Sequence, residues 1–267
     1  MTRSGLDMSH FTIIIPTYNE VQNIQHMIAS LLRLYPEIEI LVVDDNSIDG
    51  TIEFVKDLAL KNPSIRLIVR DPEDRGLTAS LMDGIINTKT KYFIIMDADF
   101  QHPPDKVGDI MEKLSTGYAI AVGTRNDIEA LSLIRRLASW GANFLAQSYL
   151  FLHRKTRPRD LMSGFFGGDA IVWKNVVINN NTKFERQGFK ALFDLMKFSP
   201  VRIEVAEVKY DFGERSCGES KLDSRVIISL LRQCGYLGKF AAALVSLFYR
   251  KPAKHSPDQE IAATMRP

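Results

Sequence analysis

The residues best suited to chemistry are Asp97 and Asp99. They lie in the run YFIIMDADFQHPP over residues 92–104, where an apolar stretch ends on two carboxylates one residue apart. In extended backbone, positions i and i+2 point the same way. Two carboxylates on one face in an apolar setting repel each other and need a compensating cation or a protonated partner. Hard cations such as Mg²⁺ and Mn²⁺ take oxygen ligands and are often shared between one or two carboxylates and a substrate phosphate. The stretch is therefore a candidate site for a nucleotide diphosphate. The same residues would also serve as helix-capping or turn carboxylates with no metal at all.

Other polar clusters follow apolar runs in the same manner. Thr17 to Glu20 follow Phe11–Ile15, and Asp44 to Ser47 follow Ile40–Val43. In the second half, Gly123-Thr124-Arg125 closes another apolar run, Arg135, Arg136 and Ser139 occupy a helical stretch, and residues 163–168 read SGFFGG. Arg215 and Lys221 stand in a glycine-containing polar loop of the kind that suits phosphate recognition, although such loops are more often plain surface turns. No G-x-G-x-x-G follows the first apolar run and no G-x-x-x-x-G-K-[ST] occurs, so a glycine-rich phosphate cradle is excluded.

Elements that could position these groups alternate along the chain. Runs at 11–15, 40–43, 65–69, 92–96 and 119–122 are short, apolar and β-branched, and read as buried strands. Between them, Ile24, Met27, Ile28, Leu31 and Leu32 recur at helical spacing, with Asn19 as the expected N-cap and Pro36 as the stop. Gly50-Thr51 opens a second helix, Leu77, Leu81 and Ile85 mark a third, and Pro103-Pro104 starts a fourth. Strands apolar on both faces that alternate with helices imply a mostly parallel sheet between helical layers, with ligands at the carboxyl edge. The second half predicts a long helix over 129–152, a strand or close-approach turn at 163–168, a helix from 188 and a strand over 201–208.

The 267 residues suit one large α/β domain with a tail, and a net charge of +2 argues against general nucleic-acid binding. Two cysteines, Cys217 and Cys234, make no disulfide framework. The expected division is a disordered 1–10, a catalytic domain over 11–222, an amphipathic segment over 223–250 and a disordered tail over 251–267. From Ser224 to Pro257 there is no acidic residue, and Arg225, Arg232 and Lys239 fall on one helical stripe. Such a segment lies in a membrane interface or packs on its own protein or a partner. Its longest uncharged stretch, Phe240 to Tyr249, is ten residues, too short to span. With no signal-peptide core, the expected location is peripheral, on the cytoplasmic face of a membrane.

The motifs IPTYNE (15–20), VDDNS (43–47), MDADFQHPP (96–104), GTR (123–125), SGFF (163–166) and GESK (218–221), in this order and spacing, resemble the family 2 inverting glycosyltransferases of GT-A fold, most closely the dolichyl-phosphate mannose synthases. The resemblance implies a GT-A three-layer α/β sandwich and transfer of mannose from GDP-mannose to a polyprenyl (dolichyl) phosphate. Pro16, Tyr18, Glu20 and Asp45 would then line the nucleotide pocket with Ala98, while Asp97, Asp99 and Gln101 would hold Mg²⁺ or Mn²⁺. Arg125, Arg135 and Ser139 would hold the acceptor phosphate, and Arg215 and Lys221 would close over the donor diphosphate. Asp97, Asp99, Arg125 and Arg215 form the expected catalytic set. The alternatives are transfer of glucose or another hexose to the same lipid, or a hydroxyl acceptor. A hydroxyl would want a base near Asp97 and would leave Arg125 and Arg135 without a purpose.

Overall fold

Strand β1 (Phe11–Thr17) forms the spine of a seven-stranded sheet, pairing in parallel with β2 (Glu39–Asp44) on one side and β4 (Tyr92–Ile95) on the other. The computed structural model describes residues 6–126, 133–188, 191–200 and 202–213, with the backbone alone for 133–140 and 142. Within it the strand order is β3-β2-β1-β4-β6-β5-β7, where β3 is Ile65–Val69, β5 Ile120–Arg125, β6 Phe166–Asp169 and β7 Val205–Tyr210. All neighbours are parallel except β6, which runs against both β4 and β5.

Strand side chains alternate faces, and that alternation divides the core in two. Ile13, Ile15, Ile40, Val42 and Ile94 face α1 (Val21–Leu34), α2 (Thr51–Lys61) and α4 (Val107–Ser115), meeting Ile24, Leu31, Val55 and Ile110. Ile14, Leu41, Val43, Phe93 and Ile95 face the other layer, formed by α3 (Leu77–Asn87), α6 (Ala170–Asn180) and α7 (Ala191–Phe198) with Ala146 and Leu150 of α5 (Leu133–Leu152). Both faces of the central strands are covered, which accounts for their nearly unbroken Ile, Leu and Val content.

The reversed strand brings the two halves together. Parallel strands β1, β2, β4 and β5 all end on one edge, and an antiparallel strand starts on the edge where its parallel neighbours finish. Phe166 accordingly pairs with Ile95 on one side and Val122 on the other. Residues 160–165 therefore enter the sheet beside the ends of β4 and β5.

Several expectations are corrected in detail. Strand β4 stops at Ile95, so Asp97 and Asp99 lie on the loop beyond it, and strand alternation does not set their direction. Asn19 is not the N-cap of α1; Glu20 holds that position, and Asn19, at φ 56°, instead accepts a hydrogen bond from the Ile48 amide at 2.9 Å. The last strand is Val205–Tyr210, shifted from 201–208, and residues 163–168 divide into a turn and β6. Arg215, Lys221, the amphipathic segment 223–250 and the tail lie outside the described residues, as do 1–5 of the N-terminal ten. Among the described residues no helix is long and apolar enough to cross a membrane.

Candidate active site

The carboxyl edge carries three loops, each with one non-glycine residue in left-handed backbone: Asn19 after β1, Asn46 after β2 and Phe100 after β4, at φ 56°, 60° and 65°. Asparagine tolerates this region, whereas a bulky Phe there is an outlier that surrounding structure must enforce. Phe100 is held by packing on the core and by the chain at 213, whose amide bonds Gln101 O at 3.2 Å.

The first two loops are tied through Asp44, which is fully buried. It accepts from Thr17 Oγ1 at 2.6 Å, Ser47 N at 2.7 Å and Ser47 Oγ at 2.7 Å. This leaves Asp45 to face the α3 side. Its Oδ1 accepts from Ser80 Oγ at 2.8 Å and from Arg70 Nη1, and its Oδ2 accepts from Gly76 N at 3.0 Å. Arg75 spans the same loop, donating to the carbonyls of Asp45 at 2.9 Å and Asn46 at 3.0 Å with its guanidinium 4.8 Å from the Tyr18 ring centroid. Asp45, Tyr18 and Arg75 thus form one wall of the carboxyl edge.

Arg70 is buried at the hub of this wall. Besides Asp45 it donates to Asp83 and Asp74, both at 2.7 Å. Burial works against its charge, but the hydrogen bonds it donates to Asp83 and Asp45 outweigh it and raise its pKa above the ordinary guanidinium value. Asp74 also pairs with Arg186, whose hydrogen bond holds the Asp74 carboxyl below the usual range. The segment at 186–188 lies directly on the start of α3: Ala79 N bonds Arg186 O at 3.0 Å, Thr78 N bonds Gly188 O at 3.1 Å, and a Cβ at position 76 would collide with Arg186 O. Only glycine fits at 76.

At the centre of the edge, the Asp97 amide donates to His102 Nδ1 at 3.0 Å, which leaves the ring proton to Nε2. His102 is itself fixed by stacking on Phe165, with ring centroids 5.3 Å apart, and by edge contacts from Tyr210 and Phe212. The Asp97 side chain is 39% exposed, while Asp99 is 6% exposed and accepts from Gln101 N at 3.2 Å. Gly164 lies against this loop: a Cβ there would stand 3.2 Å from His102 Cε1 and 3.5 Å from Asp97 Oδ2. Two carboxylates and an amide oxygen are hard donors that fit Mg²⁺ or Mn²⁺. Among the described residues no cluster of three or more His, Cys, Asp or Glu could hold a metal alone.

Arg125 ends β5 next to this centre. Its Nε and Nη2 form a two-pronged bond to Asp160, at 2.7 and 3.1 Å, and its guanidinium lies 5.6 Å from the Phe212 ring centroid. Burial opposes the Arg125 charge, but Asp160 more than offsets it and raises its pKa. Nη1 makes no hydrogen bond among the described residues. Tyr210, opposite Arg125 in the β5–β7 register, is buried, and that burial pushes its phenol well above its usual pKa despite the nearby Arg125. Neither its hydroxyl nor Thr124 Oγ1 has a hydrogen-bond partner among the described residues.

Of the residues singled out in the sequence, Pro16, Tyr18, Glu20, Asp45, Asp97, Ala98, Asp99, Gln101 and Arg125 all fall on or just beyond the carboxyl ends of β1, β2, β4 and β5. Glu20 is turned to α1, where it accepts from Asn23 Nδ2 at 2.7 Å. Arg125, expected to meet an acceptor phosphate, already carries a carboxylate. Arg135 and Ser139 lie on α5, where only the backbone is described, and Arg215 and Lys221 lie outside the description. Arg70, Arg75, Asp160, Arg186 and Tyr210 were not anticipated. The only sequence signal for Arg70 was a cation directly after a strand.

The sheet order and the acidic loop at the end of its central strand define an α/β protein of GT-A type. Solved structures bear this out at the level of fold. Glucosyl-3-phosphoglycerate synthase from Mycobacterium tuberculosis with UDP superposes at TM-score 0.55 and 18% identity, over 88% of this chain and 82% of that one. The same protein with Mn²⁺, UDP-glucose and phosphoglyceric acid gives 0.54 and 19%, over 88% and 81%. Residues 12–177 match Glycosyl transferase family 2, and the chain belongs to that family. It is 36% identical over 256 residues to the dolichol-phosphate mannosyltransferase of Saccharomyces cerevisiae, covering 89% of this chain and 91% of that protein. It is 33% identical to the Mycosarcoma maydis protein of the same name (89% and 82% covered) and 32% identical to that of Pyrococcus furiosus (86% and 64%).

Proposed function

We propose that this chain transfers mannose from GDP-mannose to the phosphate of a polyprenol such as dolichol, with inversion, at the cytoplasmic face of a membrane. The observation that carries the reading is the meeting, across β6, of the Asp97–Gln101 loop with the Arg125–Asp160 pair. An acidic, metal-suited centre and an oriented guanidinium share one strand edge. Relatives named for dolichol-phosphate mannosyl transfer over most of the chain support the same lipid and sugar.

A lipid phosphate is already an anionic nucleophile near neutral pH, so the site needs no strong base. It needs a cation beside the acceptor, because acceptor and donor phosphates repel each other. Arg125 offers its Nη1 edge for this while Asp160 fixes the plane of the fork. Arg135 and Ser139 on α5 are assigned to the same phosphate. Tyr18, Arg75 and Asp45 hold the nucleoside, with one Asp45 Oδ2 lone pair left beyond the Gly76 bond. Asp97, Asp99 and Gln101 would hold Mg²⁺ or Mn²⁺, which when bound offsets charge on the departing diphosphate. Arg215 and Lys221 are assigned to that diphosphate. Attack from the face opposite the leaving group turns an α-linked donor into a β-linked product.

One observation favours a second reading: Asp97 is partly exposed while Arg125 is already paired, an arrangement that also suits a base serving a hydroxyl acceptor. Full-length protein in detergent with polyprenyl phosphate, Mg²⁺ or Mn²⁺ and radiolabelled donors separates the two. Label should enter the organic phase from GDP-mannose and not from UDP-glucose, and not when free polyprenol replaces its phosphate. Transfer from UDP-glucose alone, or equal transfer to the free alcohol, overturns the proposal.

A further inference from the structure

Helix α3 begins without a cap of its own. A helix leaves its first amides without intrahelical acceptors, and an N-cap side chain normally takes one or two of them. Gly76 holds the N-cap of α3 and has no side chain to do this. The acceptors come from another part of the chain: Arg186 O takes Ala79 N at 3.0 Å, and Gly188 O takes Thr78 N at 3.1 Å and Thr78 Oγ1 at 2.8 Å. Residues 186–188 therefore cap α3 from outside. Their own place is fixed by α7, whose fully buried Asp194 accepts from Glu185 N at 3.1 Å, and by a turn in which Gly188 N bonds Glu185 O at 2.7 Å.

The Arg186 side chain ties the same place a second time. Its Nε donates to Asp74 Oδ1 at 3.0 Å and its Nη2 to Asp74 Oδ2, which also accepts from Arg70 Nη2 at 2.7 Å. An exposed ion pair contributes little by itself. Here the pair continues inward, because Arg70 is 5% exposed and its Nη1 donates to Asp45 Oδ1. Three groups donate to the Asp45 carboxylate among the described residues: Gly76 N and Ser80 Oγ from the start of α3, and Arg70. Residue 186 bears on all three, its carbonyl through the helix start and its guanidinium through Asp74 and Arg70. The Arg186 side chain itself bonds Asp74 and Asn181, and neither is assigned to a substrate.

We propose that Arg186 is a positioning residue of the donor site, which sets the aim of the Asp45 carboxylate, and with it the affinity for a nucleoside diphosphate, without touching the ligand. This rests on the reading above that Asp45, Tyr18 and Arg75 hold a nucleoside. A carboxylate has about four acceptor positions, so three protein donors leave one for a ligand and fix where it points. Loosening the relay turns that remaining position away, while the acidic loop after β4 and the Arg125–Asp160 pair stay as they are.

Calorimetric titration of the full-length protein in detergent with GDP and Mn²⁺, beside steady-state kinetics, tests this. The variant R186Q should weaken GDP binding and raise the KM for GDP-mannose by about 3- to 20-fold, the scale of coupling through a side-chain network. Its kcat at saturating donor and its KM for polyprenyl phosphate should stay as in wild type, the signature of lost donor binding alone. R186K, which keeps one charged donor for Asp74, should recover part of the loss. On an Asp74→Asn background R186Q should add nothing, because the guanidinium acts through Asp74. Equal GDP affinity in wild type and R186Q overturns the proposal, as does the full R186Q effect persisting without Asp74. A fall in kcat with both KM values rising and a lower Tm also overturns it, since that is general loosening of the fold. Wild type that binds no GDP is a different result, and fails the nucleoside reading on which the proposal stands.

Discussion

At the scale of single residues, Asp160 decides what Arg125 can do. A free Arg125 would present its whole fork to any phosphate; paired, it is neutralised in part but fixed in orientation. If orientation is the larger effect, Asp160→Asn should lower kcat roughly 10- to 100-fold, the scale of a misplaced positioning group. It should also cost about 1–3 kcal/mol of stability from the charged hydrogen bond lost. The KM for GDP-mannose should stay put, because Asp45 and Tyr18 are not touched. Steady-state kinetics with both substrates varied checks this, and a tighter acceptor KM with unchanged kcat would show that Asp160 merely competes with the acceptor. Asp97 and Asp99 stood out in the sequence as carboxylates directly after an apolar run, and the structure puts them on the loop beyond β4 at the carboxyl edge. Asp160 did not stand out, since its partner is 35 residues away and only the reversed β6 brings them together. Arg70 was hidden for a similar reason: its three carboxylates, Asp45, Asp74 and Asp83, are scattered along the chain and converge only after folding.

At the scale of elements, the strands of the first half were readable because burial on both faces demands β-branched residues, and helices between them demand a 3.6-residue repeat. Strand β6 was ambiguous: four residues, FGGD, carry no alternation, and its direction follows from neighbours rather than from its own sequence. The contact of segment 185–188 with α3 was likewise invisible, being mostly backbone hydrogen bonds plus the Asp74–Arg186 pair. That pair has a pH signature. Arg186 lowers the folded-state pKa of Asp74 below its ordinary 3.8, so its contribution is fully present above that value and is lost as pH falls through the lower, folded value. Because Asp74 is substantially exposed, the effect is held to roughly 1 kcal/mol or less and shrinks with salt. Urea titrations of wild type and Asp74→Asn should therefore show a gap at about pH 6–7 that narrows on acidification below the ordinary carboxylate range. A gap that is the same across that range would show that the asparagine disturbs something other than charge.

At the scale of the whole molecule, the groups proposed to bind donor and acceptor sit on different parts of one continuous sheet. The proposed nucleoside wall lies on the loops after β1 and β2 and before α3, the acidic loop follows β4, and Arg125 ends β5. Donor binding should accordingly stabilise the domain as a unit. A ligand at about a hundred times its Kd adds about 2.7 kcal/mol to the native state, which for a chain of this size raises Tm by roughly 5–10 °C. The proposed charge arrangement makes this shift conditional: two carboxylates and a diphosphate repel one another until a divalent cation joins them. GDP with Mn²⁺ should therefore raise the Tm of wild type, and GDP with EDTA should not. Asp99→Asn should abolish the increment while leaving the ligand-free Tm within a few degrees. Asp45→Asn, by contrast, should weaken the shift even with metal present, because it alters the nucleoside wall and not the diphosphate end. If GDP stabilises wild type equally in EDTA, the acidic loop does not bind the diphosphate through a metal. The cations of the second half would then have to carry that charge alone.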